Sequence, residues 1–201
     1  MLISSIKECP SGTYVIRLDD ESEVKSTLEV ISDLRLFSGK ELDEKQLEEL
    51  KTESAKRLTL KKASELVSLR MMSGSELKDK LIHKGYDVQS VDYSVDRLYE
   101  LGLLNDSEYA AAVVRHYAAK GYGEARIRAE LSRRGINREF WDECLEAMPE
   151  SDDKLDRYIS LHLKNPEDVN QQKKVSSALY RRGYSWEEIK AAMQRFTEED
   201  Y

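Results

Sequence analysis

Apolar residues recur through most of this chain with the spacing of one helical face, and three blocks of the pattern superimpose. With Gly85, Gly135 and Gly183 as origins, Leu77, Ile127 and Val175 lie eight positions before, and Leu81, Leu131 and Leu179 four before. A basic residue directly precedes each glycine (Lys84, Arg134, Arg182). Tyr86, Ile136 and Tyr184 follow at one position, and Asp87, Asn137 and Ser185 at two. Val91, Trp141 and Ile189 stand at six, Val95, Leu145 and Met193 at ten, and Leu98, Met148 and Phe196 at thirteen. Aligned classes at so many positions in three copies define an internal repeat.

Each repeat position has a physical role. The residues eight and four before the glycine form the buried stripe of a helix. The glycine supplies the left-handed conformation that ends it, and the cation before it suits the negative end of the helix dipole. Asp87, Asn137 and Ser185 are good N-caps for a second helix. Tyr86 with Val91, Ile136 with Trp141 and Tyr184 with Ile189 have the spacing of a hydrophobic staple, and Ser185 with Glu188 that of a capping box. A further helical stretch precedes each pair: Lys61–Met71, Asp106–Ala119 (entered through Asn105 and Glu108) and Leu155–Lys164. Each unit is therefore three helices, with Gly102 and Pro149 near the junctions. Units of roughly fifty residues bury a limited core alone, so neighbours are expected to stack into a curved, elongated rod.

The first fifty residues differ. Ile3–Lys7 and Tyr14–Leu18 are short runs of β-formers separated by Cys9-Pro-Ser-Gly12, a turn cluster. A second turn at Asp19–Ser22 leads into a third strand or directly into a helix. Ser26 or Thr27 then caps a short helix through Val30, Ile31 and Leu34, Gly39 closes it, and Asp43 opens another through Gln46, Leu47 and Leu50. The chain is thus expected to be mainly α, with a β-hairpin and short-helix extension at 1–52 and three-helix repeats at 53–102, 103–149 and 150–201.

Composition narrows the class. With 35% charged and 40% hydrophobic residues among 201, nine Gly and three Pro, the chain reads as folded and helix-rich. No apolar run approaches the ~18–20 residues of a membrane span, and the start lacks the layout of a signal peptide. Cys9 and Cys144 form no framework, so a cytoplasmic protein is expected; a monomer away from membranes is the accompanying expectation, with no residue that fixes the oligomeric state. The net charge of −7 is uneven: twelve acids face five bases between Asp19 and Glu53, whereas Arg115–Glu139 holds seven bases and three acids. Any polyanion contact would therefore be a patch.

Motifs of catalysis are missing from the sequence. His83, His116 and His162 are dispersed, with no HExxH and no Cys at ligand spacing. His83 occupies a position taken by Arg133 and Arg181 in the other copies, which makes it a surface residue. Gly121-Tyr-Gly123 follows a helix rather than a strand and is no dinucleotide fingerprint. Cys144 reads as a packing residue. An enzyme is not expected, nor any cofactor or metal.

What remains is basic decoration. Lys84, Arg133-Arg134 and Arg181-Arg182 recur at one helix end, and Arg126, Arg128, Lys173 and Lys174 extend the set; Lys61, Lys62, Lys78 and Lys80 could widen it. Two readings stand side by side. The cations complement helix dipoles, or they form a row that meets a phosphate backbone or an acidic protein groove. Trp141 and Trp186, at staple or first-turn positions, are expected to be core or half-buried; Tyr117 and Tyr122 fit packing and contact equally.

The segments Ser73-Gly-Ser-Glu-Leu-Lys-Asp-Lys-Leu-Ile-His-Lys-Gly-Tyr86, Leu101-Gly-Leu-Leu-Asn-Asp-Ser-Glu-Tyr-Ala110, Arg126-Ile-Arg-Ala-Glu-Leu-Ser-Arg-Arg-Gly-Ile136 and Leu179-Tyr-Arg-Arg-Gly-Tyr184 resemble the signature of the RecX regulatory family. The likeness spans residues ~60–196, the first segment being the most specific. At Met71-Met-Ser-Gly74 the Arg-x-x-Ser run usual before the first Glu-Leu reads as interrupted, with Arg70 displaced. The resemblance implies a cytoplasmic bacterial modulator of the RecA recombinase, and so a link to recombination, DNA repair and the SOS response. It implies binding in the groove of the RecA–single-stranded-DNA filament and inhibition of ATP hydrolysis, strand exchange and co-protease activity. It carries over no catalytic residues. The alternative is a module binding single- or double-stranded DNA without RecA, because each glycine-turned helix pair is like a helix-turn-helix.

Overall fold

The computed structural model describes residues 1–148 and 152–199. Two compact units result, Met1–Asn105 and the chain from Asp106 onward. The whole is mainly α: three three-helix repeats preceded by a small β extension.

In the first unit, β1 (Ile3–Glu8), β2 (Tyr14–Leu18) and β3 (Glu23–Ser26) form an antiparallel sheet in sequential order. The segment after Asp19–Ser22 is thus a third strand. Helix α1 (Leu28–Asp33) ends earlier than Gly39 predicts. Arg35, at φ +49, closes it by donating its N–H to the Ser32 carbonyl while Leu36 N–H reaches the Ile31 carbonyl. A non-glycine residue therefore performs the left-handed closure.

Helix α2 (Glu44–Leu69) opens on a complete Asp43–Gln46 capping box and runs 26 residues without a break. The two helices expected at Asp43–Leu50 and Lys61–Met71 are one, and the limit placed between residues 52 and 53 falls inside it. Its N-terminal half closes the sheet core: Leu50 joins Ile3, Ile16, Leu18 and Val30, and Ser54 hydrogen-bonds Ser26 at 2.8 Å. Its C-terminal half supplies Ala63 to a second core with Leu77, Leu81, Val91, Val95 and Leu98 from α3 (Gly74–His83) and α4 (Val88–Glu100).

The second unit holds two repeats, each with its own core. Helices α5 (Asp106–Ala119), α6 (Glu124–Arg133) and α7 (Trp141–Glu146) enclose Tyr109, Val113, Ile127, Leu131, Ile136 and Trp141. Helices α8 (Asp152–His162), α9 (Val169–Arg181) and α10 (Trp186–Glu199) enclose Leu155, Ile159, Val175, Leu179, Tyr184 and Ile189. Pro149 lies outside the described residues.

The elbow between the second and third helix has one geometry in all three copies. Gly85, Gly135 and Gly183 have φ of +88°, +65° and +95°. The next residue's N–H reaches the carbonyl four before the glycine, Tyr86 to Leu81, Ile136 to Leu131 and Tyr184 to Leu179, at 3.2–3.3 Å. This is the Schellman closure, which satisfies carbonyls that a helix end leaves unpaired. Asp87 caps α4 by accepting from Ser90 N–H, and Ser185 and Glu188 form the capping box. Asn137 departs from the template: its amide donates to Glu139, and a single 3-10 turn (Arg138–Phe140) precedes a shortened α7.

Candidate functional site

The structure divides the candidate cations into two populations according to what they touch. On α6 every candidate has an intramolecular partner. Arg128 pairs with Glu124 at 2.6 Å and reaches Asp142 at 3.5 Å. Arg126 and Arg133 converge on Glu130 at 3.5 and 2.6 Å. Arg134, half-buried, approaches the same carboxylate at 3.9 Å and donates to the Tyr109 hydroxyl at 2.6 Å.

Glu130 is the hub of this cluster, with its side chain 7% exposed. The Arg133 guanidinium beside it, helped by Tyr117, holds its carboxyl below the usual range against the opposing effect of burial. Three arginines around one buried carboxylate form a network in which that single negative charge offsets part of the local positive charge. Such groups organise the helix end and present less net charge than a count of arginines suggests.

The second population carries no such partners. Lys84 is exposed at the end of α3 in the first unit, and Lys173, Lys174 and Arg181 are exposed along α9 in the second. Among the described residues none of these four has a carboxylate within ion-pair distance, whereas Lys62, Lys78 and Lys80 pair with Glu65, Asp92 and Glu76. Lys61 donates to the Ser11 and Gly12 carbonyls of the β1–β2 turn.

Arg182 belongs to neither group. Its guanidinium lies over the Tyr158 ring at 4.8 Å and the Tyr122 ring at 5.6 Å, with one nitrogen 3.4 Å from the Gly121 carbonyl. Arg126 reaches Tyr122 at 6.0 Å, so two candidates from different repeats meet at one aromatic. Beneath them the backbones touch: Gly123 N–H donates to the Arg182 carbonyl at 2.9 Å and Ala125 N–H to the Gly183 carbonyl at 3.1 Å. Arg134 and Arg182 are half-buried parts of the fold, because each ends a helix against an aromatic wall. Gly123 is explained by this close approach of backbones and Gly121 by its left-handed φ of +72°. Tyr117 and Tyr122 pack against the core of the second repeat.

Trp141 is buried and donates its indole N–H to the Ile136 carbonyl at 3.1 Å. Trp186 is not core or half-buried: it is 54% exposed and stacks at 5.1 Å on Tyr180, which is equally exposed. The capping position puts Trp186 at the first turn of α10, outside the stapled pair. Lys173 and Tyr180 are seven apart and share a face of α9, so an exposed aromatic pair adjoins unpaired cations there. Sequence reasoning also missed Lys120, Lys154 and Arg157, which gather with Arg182; the spacing of three between Lys154 and Arg157 was the available signal.

Candidates for catalysis or metal binding gain nothing. Among the described residues no group of three or more His, Cys, Asp or Glu could hold a metal ion, and no helix is long and apolar enough to cross a membrane. Burial pushes the Cys144 thiol up, away from the reactive thiolate. At Arg70, the sequence itself reads Arg70-Met-Met-Ser73, an uninterrupted Arg-x-x-Ser. Ser73 caps α3 by accepting from Glu76 N–H, and Glu76 binds the Arg70 guanidinium. Arg70 is thus in register with Ser73 and is not displaced.

Tandem three-helix units, each closed by the same elbow and carrying its own core, define a helical-repeat protein. The family model described as "RecX, second three-helix domain" matches residues 105–145. The "Regulatory protein RecX" of Xanthomonas citri is 36% identical over 147 residues, 70% of this chain and 88% of that one. That of Bacillus licheniformis is 32% identical over 197 residues, 92% of this chain and 72% of that one. A crystal structure of a regulatory protein RecX shares the fold with a TM-score of 0.73 at 24% identity, covering 98% of both chains. RecX from Lactobacillus salivarius gives a TM-score of 0.64 at 21% identity, covering 71% of this chain and 97% of that one. The chain belongs to the RecX family of regulatory proteins.

Proposed function

We propose that this protein regulates the RecA recombinase by binding the RecA–single-stranded-DNA filament, and that it inhibits ATP hydrolysis, strand exchange and co-protease activity. The observation that carries the reading is family membership, at 36% identity across 88% of a relative named as a regulatory protein. Three repeats with one elbow geometry support it, since copies of a surface suit a partner that is itself a repeating polymer, where several modest contacts gain avidity.

The contacts are assigned to Lys84, Lys173, Lys174 and Arg181, with Tyr180 and Trp186 as exposed aromatic anchors on the third repeat. Trp, Tyr and Arg side chains are the usual carriers of interface energy, and exposed lysines add electrostatic steering. Arg126, Arg128, Arg133, Arg134 and Arg182 act indirectly, by holding the helix ends and the junction in place. Sedimentation with RecA filaments, in a buffer where naked single- and double-stranded DNA is ignored, tests the proposal. Co-sedimentation with filaments alone supports it. Equal binding to DNA without RecA supports the DNA-module alternative and overturns it.

A further inference from the structure

The geometry points to a phosphate-binding site in the cleft between the second and third repeats, a site separate from the exposed α9 face. The cleft encloses about 270 Å³ and is lined by Lys120, Lys154, Arg157 and Arg182, with no carboxylate among its lining residues. That composition is unexpected in a chain with 39 acids, 32 Lys and Arg and a net charge of −7. On α6, a few residues away in sequence, each arginine meets a carboxylate or a tyrosine. Here four cations face one space and none has a carboxylate within ion-pair distance among the described residues.

Two of the four are held in place. Lys154 donates to the Ala118 carbonyl at 2.6 Å, near the C-terminal end of α5, leaving two of its three N–H groups. Arg182 is fixed over Tyr158 at 4.8 Å, with a long contact of 3.4 Å to the Gly121 carbonyl. A guanidinium has five N–H donors, so most of its capacity remains. Both side chains are half-buried, while Lys120 and Arg157 are exposed at the rim. Like charges gathered with no counter-charge repel, and an anion relieves the repulsion while accepting charge-assisted hydrogen bonds from all four.

The cleft recognises phosphate rather than a base. One face of the Tyr158 ring carries Arg182, and His162 stacks on the same ring at 4.1 Å, so the aromatic wall has no free face for a nucleobase. Ala119 and Leu161 supply an apolar edge that suits the sugar or carbon chain of a phosphate ester. The shared chemistry is a phosphate group, whose source is either a small phosphate ester or a nucleic-acid backbone.

The test uses the full chain at about 0.1 M salt with three probes: pyrophosphate, thymidine monophosphate and a short deoxythymidine oligomer. Saturable backbone amide shifts centred on Lys120, Gly121, Lys154 and Arg157 are expected with at least one probe. The rim double variant Lys120→Glu/Arg157→Glu, both positions exposed, should retain its circular dichroism and bind about tenfold or more weakly. The charge-matched control Lys7→Glu/Lys190→Glu should bind within about twofold of the parent, because neither side chain lines the cleft and salt screens exposed charges that make no direct contact. Saturation by the two small probes assigns the site to free phosphate esters, and saturation by the oligomer alone assigns it to a backbone. No saturable shift with any probe on the parent chain, or equal weakening in rim and control variants, overturns the proposal.

Discussion

Replacing Gly123 by alanine tests the packing of the second unit, because local and tertiary physics give opposite signs. Gly123 has φ −79°, which any residue adopts, so by backbone entropy alone Gly123→Ala should stabilise by ~0.4–1 kcal/mol. In the structure a Cβ there would overlap the Gly183 carbonyl group and lie 2.6 Å from Tyr184 N. These atoms are backbone and cannot swing aside, so the junction must open. Opening it weakens two backbone hydrogen bonds, from Gly123 to Arg182 and from Ala125 to Gly183, each contributing roughly 1 kcal/mol, and loosens Arg182 from Tyr158, a contact of about 0.5–2 kcal/mol. The net expectation, after the entropic gain is subtracted, is a loss of about 1.5–3.5 kcal/mol in urea-induced unfolding. Gly121→Ala is the comparison. Gly121 has φ +72° but its Cβ would meet only an Arg182 nitrogen at 3.9 Å, so its cost is the left-handed penalty of roughly 1 kcal/mol. If Gly121→Ala costs as much as Gly123→Ala, or if Gly123→Ala stabilises, the backbone contact between repeats is refuted.

Leu131→Ala, at a fully buried stripe position, should lose about 2–5 kcal/mol in the same assay, and an unchanged midpoint would contradict the repeat template. Because the Glu130 pKa is depressed when folded, its stabilisation is present above the unfolded value near ~4.3 and lost as pH falls through the lower folded one. The parent should therefore lose stability below about pH 4.5 more steeply than Glu130→Gln, and parallel curves would remove Glu130 from its network. A chain beginning at Glu53 cuts α2 through its middle and should lose cooperative melting of the first unit, whereas a chain beginning at Asp106 should melt cooperatively; circular dichroism reads both. Reversing Lys173, Lys174 and Arg181 to glutamate should leave the melting temperature within a few degrees and weaken filament binding by about tenfold or more. Reversing Arg126, Arg133 and Arg134 should instead destabilise the fold, because Glu130 would be left buried among like charges.

The repeat was legible because each copy carries its stripe, closing glycine and staple as local sequence, and those are short-range effects. The continuity of α2 was not. Leu50 and Ser54 face the sheet whereas Ala63 faces α4, so the buried side changes along the helix and no single stripe runs through it. The closure of α1 at Arg35 escaped for a related reason: tertiary packing of Leu36 holds a non-glycine residue at positive φ. The pairing on α6 was partly visible, since Glu124–Arg128 and Glu130–Arg134 have the four-residue spacing of helix ion pairs. The role of Arg182 was not, because Tyr158 reaches it through packing inside the third repeat and Gly121 through packing of that repeat on the second. Lys154 and Arg157 were overlooked on α8, where their spacing of three marks a shared helix face but not the cleft that this face lines.

The most direct test of the account is the steady-state ATPase rate of RecA on single-stranded DNA, titrated with this protein and with the Lys173→Glu/Lys174→Glu/Arg181→Glu variant. The account predicts a dose-dependent fall in rate with the parent chain and a dose-response shifted about tenfold or more to higher concentration with the variant. A rate unchanged at saturating parent protein would contradict it.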